Sequence, residues 1–180
     1  MPTIRFETTA LQTGGWTILR LPKSASAKLP SRGMTLVKGT INGFRTRIVL
    51  EPDGRGGHWF RVDSGLPKAV SITAGGTVTM EVQSSKEWPG PELPADLNRA
   101  LTVDPRANAL WRTITPMARW DWLRWIRGTN NRETRSRRIA VALSKLRAGQ
   151  RRPCCFNRNL CTQPEVSKDG VLVEPTETER

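Results

Sequence analysis

The sequence predicts an α+β chain in which a small β-barrel is followed by a helical module and a polar tail. Three observations predict it. Short stretches of alternating apolar residues run from Thr3 to Gln83. A proline-dense break, Trp88-Pro89-Gly90-Pro91 with Pro94, interrupts regular structure over 87–94. Beyond that break the apolar period becomes helical.

The elements follow in order. Ile4, Phe6 and Thr8 alternate with charged neighbours, and Trp16, Ile18 and Leu19 form a second run that stops at Pro22. Met34–Ile41 and Phe44–Leu50 are joined by Asn42-Gly43, the pair a type I′ hairpin turn favours because both its central positions need positive φ. Turn residues fill Glu51–Gly57. Trp59–Asp63 is a fifth strand, and after a loop around Pro67 and Gly75-Gly76 the alternation Val78, Met80, Val82 is a sixth. Six strands in some eighty residues suit a small closed or split barrel, assigned to 1–86. After the linker at 87–94, a first helix spans Asp96–Leu101. Asp104 and Thr115, each followed by proline, open the next two, and Asn131 opens a fourth that ends at Gly149 as its C′ residue. The helical module is assigned to 95–153. Residues 154–180 are polar and proline-interrupted, and are expected to be a mobile tail.

Composition bounds the function. With 180 residues, 37% hydrophobic and 25% charged, the chain has the make-up of a globular protein. Its longest aliphatic run, Ile139–Leu143, is too short for a transmembrane segment, and no secretory h-region lies in Met1–Leu11, so a cytoplasmic location is expected. Three cysteines, two of them adjacent, fit a reducing compartment better than a disulfide framework. The formal charge is +13. It divides as +6 over 1–91, +9 over 92–153 and −2 over 154–180, and 13 of the 14 basic residues in the middle segment are arginine. Guanidinium groups suit bidentate contact with phosphate or carboxylate, so an anionic partner is plausible; an Arg-rich composition with no ligand is the competing explanation.

Val37-Lys38-Gly39-Thr40-Ile41-Asn42-Gly43-Phe44, the Leu-x-Pro-x-Gly turn at Leu50–Gly54 and the Trp16–Pro22 segment resemble the bacterial domain-of-unknown-function family DUF1905. The second half resembles the module named for bacteriocin protection and for association with YdeI or OmpD. The matching residues are Pro94-Ala95-Asp96-Leu97 with Ala100-Leu101, Trp122–Ile126 and Glu133-Thr134-Arg135-x-Arg137-Arg138-Ile139. The resemblance covers roughly residues 3–152. It implies a split barrel of the swapped-hairpin, AbrB-like type followed by a four-helix module. Such barrels commonly dimerise, but they also close within one chain, so homodimer and monomer both stay open. Thr129-Asn130 stands where the family tends to carry Ala-Lys, and Trp120 stands at a usually basic position, so no role of that lysine carries over.

Few residues suggest catalysis. His58 is the one histidine, tyrosine is absent, and no HExxH, GxSxG, SxxK or P-loop string occurs. His58 is expected to end the Gly54–Gly57 turn, and no metal or other cofactor is expected. Cys154, Cys155 and Cys161 stand near Arg151 and Arg152, whose charge favours thiolate; reduced tail cysteines are the simpler expectation, with a thiol-redox or metal role as an alternative. On the third helix, Trp122 and Trp125 share the core face, whereas Trp120 projects with Arg124 and Arg127, where stacking on bases competes with a cation–π contact between Arg124 and an exposed Trp120. Arg135 falls on the apolar stripe of Ile139, Ala142 and Leu146, so it needs a carboxylate or helix-end carbonyls as partner. The candidate anion- or partner-binding set is Trp120, Arg124, Arg127, Arg132, Arg135, Arg137 and Arg138. The expected function is a non-enzymatic protein of the bacteriocin-protection or stress-resistance type that binds an anionic or protein partner. Nucleic-acid binding is the alternative.

Overall fold

The computed structural model describes residues 2–62, 66 and 70–175; Asp63, Pro67 and residues 176–180 lie outside the described residues. The chain divides into two compact units. One comprises Met1–Glu87 with Arg158–Cys161 and Glu165–Arg180, the other Trp88–Asn157 with Thr162–Pro164.

In the first unit the strands are β1 (Ile4–Thr13), β2 (Trp16–Arg20), β3 (Thr35–Ile41), β4 (Phe44–Pro52), β5 (His58–Arg61) and β6 (Thr77–Ser84), with a one-turn helix α1 (Lys23–Ser26) between β2 and β3. They form a closed antiparallel barrel in the order β1-β2-β5-β4-β3-β6. The long β1 makes closure possible: its first half pairs with β6 (Phe6↔Met80) and its second half with β2 (Ala10↔Leu19). Asn42 and Gly43 have φ of 49° and 81°, as the type I′ turn requires. Asn42 also anchors the hairpin to β6, donating its backbone N–H to Thr79 O while its Oδ1 accepts from Thr79 N at 2.9 Å. At the β3–β6 seam a Cβ on Gly39 would overlap the Glu81 carbonyl, so the close strand approach excludes a side chain there. Inward-facing Leu19, Val37, Ile41, Ile48, Leu50, Phe60, Met80 and Val82 fill the interior.

The expectation of a mobile tail from 154 is corrected by this structure. Residues 167–172 form a hairpin of β7 (Ser167–Lys168) and β8 (Val171–Leu172), and Cys161, Val166 and Leu172 are buried with Ile18 and Trp59 in a second, smaller core. The cause lies in the strands. Leu19 and Phe60 fill the barrel, while their neighbours Ile18 and Trp59 belong to this other cluster, so both faces of β2 and β5 are apolar and the outer one must be covered. Leu172 N donates to the Asp53 carbonyl, and Arg20 and Arg55 reach Glu174 at 2.7 and 2.9 Å.

The second unit contains α2 (Ala95–Thr102), α3 (Pro105–Thr113), α4 (Pro116–Arg127) and α5 (Arg132–Arg147). The expected caps are present: Asp104, Thr115 and Asn131 each accept from a backbone N–H in the first turn. Gly149, at φ 85°, ends α5 in a Schellman arrangement, with Gly149 N bonded to Leu146 O and Gln150 N to Lys145 O. Leu97, Leu101, Ala107, Trp111, Trp122, Leu123, Ile126, Ala142 and Leu146 make the core.

Candidate functional site

Arg135 has the partner its position requires. Its Nε and Nη2 donate to Asp96 Oδ2 and Oδ1 at 2.7 and 3.1 Å, a bidentate pair that ties α5 to the first turn of α2. Asp96 also accepts from Leu97 N, and Leu97 is fully buried. The hydrogen bond from Arg135 holds the Asp96 carboxyl below its ordinary range, and the same bond raises the pKa of the guanidinium. Two of the quoted sequence motifs thus meet through one ion pair.

Trp120, Arg124 and Arg127 lie along α4, and Arg138 reaches its C-terminal end from α5. Arg138 Nη1 donates to the Trp125 carbonyl at 2.6 Å, with its guanidinium 5.6 Å from the Trp125 ring centroid. It thereby satisfies one of the last-turn carbonyls that a helix leaves without an intrahelical donor. Arg119 does the same for α3, donating to the carbonyls of Trp111 and Arg112. Trp122 is fully buried and meets Trp125 edge-on at 6.0 Å.

The expected contact between Arg124 and Trp120 is corrected. Arg124 is 0% exposed and its guanidinium lies 5.3 Å from the Phe156 ring. It is Arg127 that lies against Trp120, at 5.9 Å, and the half-buried Trp120 donates its indole N–H to Pro89 O. The physical reason is the segment after α5, which covers this part of α4. Trp122 Nε1 donates to the Arg151 carbonyl, and Arg152 reaches the buried Asp121 at 2.8 Å. Sequence reasoning passed over Asp121 and set Arg152 beside the cysteines rather than against this carboxylate; the available signal was a carboxylate set among tryptophans on α4.

Arg132 and Arg137 are exposed on α5, the latter 73% exposed and 3.5 Å from Glu133. They do not join the α4 cluster by any described contact. The described ion pairs of this unit use Asp96, Asp104, Asp121 and Glu133. Over 92–153, 14 basic residues face 5 acidic ones, so guanidinium charge remains in excess of the carboxylates available.

His58 opens β5 and is buried, with Nε2 3.0 Å from the Gly33 carbonyl. Burial pushes its pKa down. The turn before it is an Asx turn, in which Asp53 Oδ1 accepts from the N–H groups of Arg55 and Gly57. Cys161 belongs to the small core of the barrel unit, whereas Cys154 and Cys155 are exposed in the helical unit. Among the described residues no three of His, Cys, Asp and Glu gather as metal ligands, and no helix is long and apolar enough to cross a membrane.

Residues 5–82 match the model of the family described as a domain of unknown function, DUF1905. Residues 91–149 match that described as bacteriocin-protection, YdeI or OmpD-associated, which takes in both Asp96 and Arg135. The chain is a fusion of these two family domains, in that order. No curated protein and no solved structure matches it.

Proposed function

We propose that this is a non-enzymatic, intracellular protein of the bacteriocin-protection type, whose helical module docks an acidic partner on the exposed guanidinium groups of α5. The observation that carries this reading is the presentation of Arg132 and Arg137 to solvent within the family-matched span, while Arg124, Arg135 and Arg138 are engaged inside the unit. The division separates structural from recognition arginines. The former hold helix ends and carboxylates, while the latter supply charge that steers an anionic surface.

The test is survival of a bacteriocin-sensitive strain expressing the protein. Arg132→Glu with Arg137→Glu should return survival to the empty-vector level while changing folding stability by no more than about 0.5 kcal/mol, as exposed substitutions do. Survival equal to that of the unmutated protein overturns the proposal.

A further inference from the structure

The Schellman turn that ends α5 sends the chain back over the helix it has just left. Four residues beyond Gln150, the Cys154 thiol meets the α5 side chain of Lys145, with Nζ 2.7 Å from Sγ. Both Cys154 and its neighbour Cys155 are free and exposed, and Cys155 holds φ at 57°, a backbone state uncommon for a residue with a Cβ. The turn is fixed from both sides: Gln150 Nε2 donates to the Arg152 carbonyl, Pro153 is buried, and Arg152 is tied to Asp121. The fold therefore sets an ammonium against one of two vicinal thiols and leaves that thiol open to solvent.

We propose that Cys154 is a peroxide-reactive thiolate, with Lys145 as its positioning counter-charge and Cys155 as the thiol that resolves its oxidised form. The ammonium favours thiolate, which is the nucleophilic species. The hydrogen bond from Lys145 holds the Cys154 thiol below the ordinary cysteine range, with Gln150 adding to the effect. In the first step the thiolate sulfur attacks one oxygen of hydrogen peroxide. An S–O bond forms as the O–O bond breaks, giving cysteine sulfenic acid and hydroxide; sulfur loses two electrons and peroxide gains them. In the second, the Cys155 thiol attacks the sulfenic sulfur, an S–S bond replaces the S–O bond, and water leaves with the thiol proton. A ring closed between adjacent residues is strained, so this disulfide is one that cellular thiols reduce readily.

The test uses the full chain and hydrogen peroxide as oxidant. Iodoacetamide should alkylate Cys154 ahead of Cys155 at about pH 7, and Lys145→Met should slow Cys154 by about threefold or more while moving the midpoint of its rate–pH profile upward. One equivalent of peroxide should convert the unmutated protein to a form two hydrogens lighter and restored by dithiothreitol. Cys155→Ser should instead gain one oxygen, trapped by dimedone on Cys154. Equal alkylation of the two thiols with no response to Lys145→Met overturns the proposal, as does a disulfide that forms only between two molecules.

Discussion

His58 Nε2 faces the Gly33 carbonyl at 3.0 Å, and a carbonyl can only accept, so the neutral ring keeps its proton on Nε2. Nδ1 is buried without a hydrogen-bond partner, which costs little as a bare lone pair and much more as a second N–H. Burial is accordingly the largest influence on this group and lowers its pKa from 6.5, outweighing the Gly33 and Ser31 carbonyls and the Asp53 charge, which favour the proton. A base with a lowered folded-state pKa binds fewer protons folded than unfolded. Its contribution is therefore intact above the unfolded value and is lost as pH falls below about 6.5 toward the folded one. Urea unfolding of the protein and of His58→Gln between about pH 5 and 7.5 should show the stability difference between them shrinking as pH falls. A difference that stays constant with pH excludes His58 as the source.

At the scale of elements, arginine is the fastening of the helical unit. Arg119 closes the end of α3, Arg138 the end of α4, Arg147 reaches the α3 cap Asp104 at 3.2 Å, and Arg135 locks α5 onto α2. The Asp96 and Arg135 side chains are 38% and 25% exposed, so solvent screens the pair in part. Arg135→Ala should cost about 1–2 kcal/mol, and the double-mutant cycle with Asp96→Ala should show coupling of about 1 kcal/mol in urea denaturation. Additive effects would mean the pair holds nothing together. Much of this level was legible in the sequence. The caps at Asp104, Thr115 and Asn131, the C′ glycine and the need of Arg135 for a partner all follow from local rules that act within one turn or one stripe. Arg124 was misread because its burial depends on Phe156, more than thirty residues away, and helical periodicity carries no information about which later segment will cover a face.

The same limit governs the whole chain, where the two family-matched spans, 5–82 and 91–149, leave out the segment that completes the barrel unit. Polarity and prolines in 154–180 read as a tail because only Val171–Val173 stand out as apolar. The compensating signal lay far upstream, in strands whose two faces are both apolar. Gly14 and Gly54 mark where the segment lies: a Cβ at the first would overlap the Glu165 carbonyl, and one at the second the Gly170 carbonyl. Covering Ile18 and Trp59 is worth about 1.5–3 kcal/mol for each side chain, a large share of the roughly 5–15 kcal/mol that a domain has in all. A chain ending at Asn157 should therefore lose about 3–6 kcal/mol in the barrel unit. It should also bind a hydrophobic dye and show tryptophan emission shifted to the red as Trp59 meets water. The Cys161 thiol offers a check that leaves the chain whole. It is buried in the same small core, so in the intact protein it should alkylate only at the rate at which residues 158–175 detach, far slower than Cys154. Leu172→Ala should bring that rate up by loosening the core, at a cost of about 2–4 kcal/mol for the cavity. If Cys161 reacts as fast in the intact protein as in Leu172→Ala, the segment does not cover the outer face of β2 and β5.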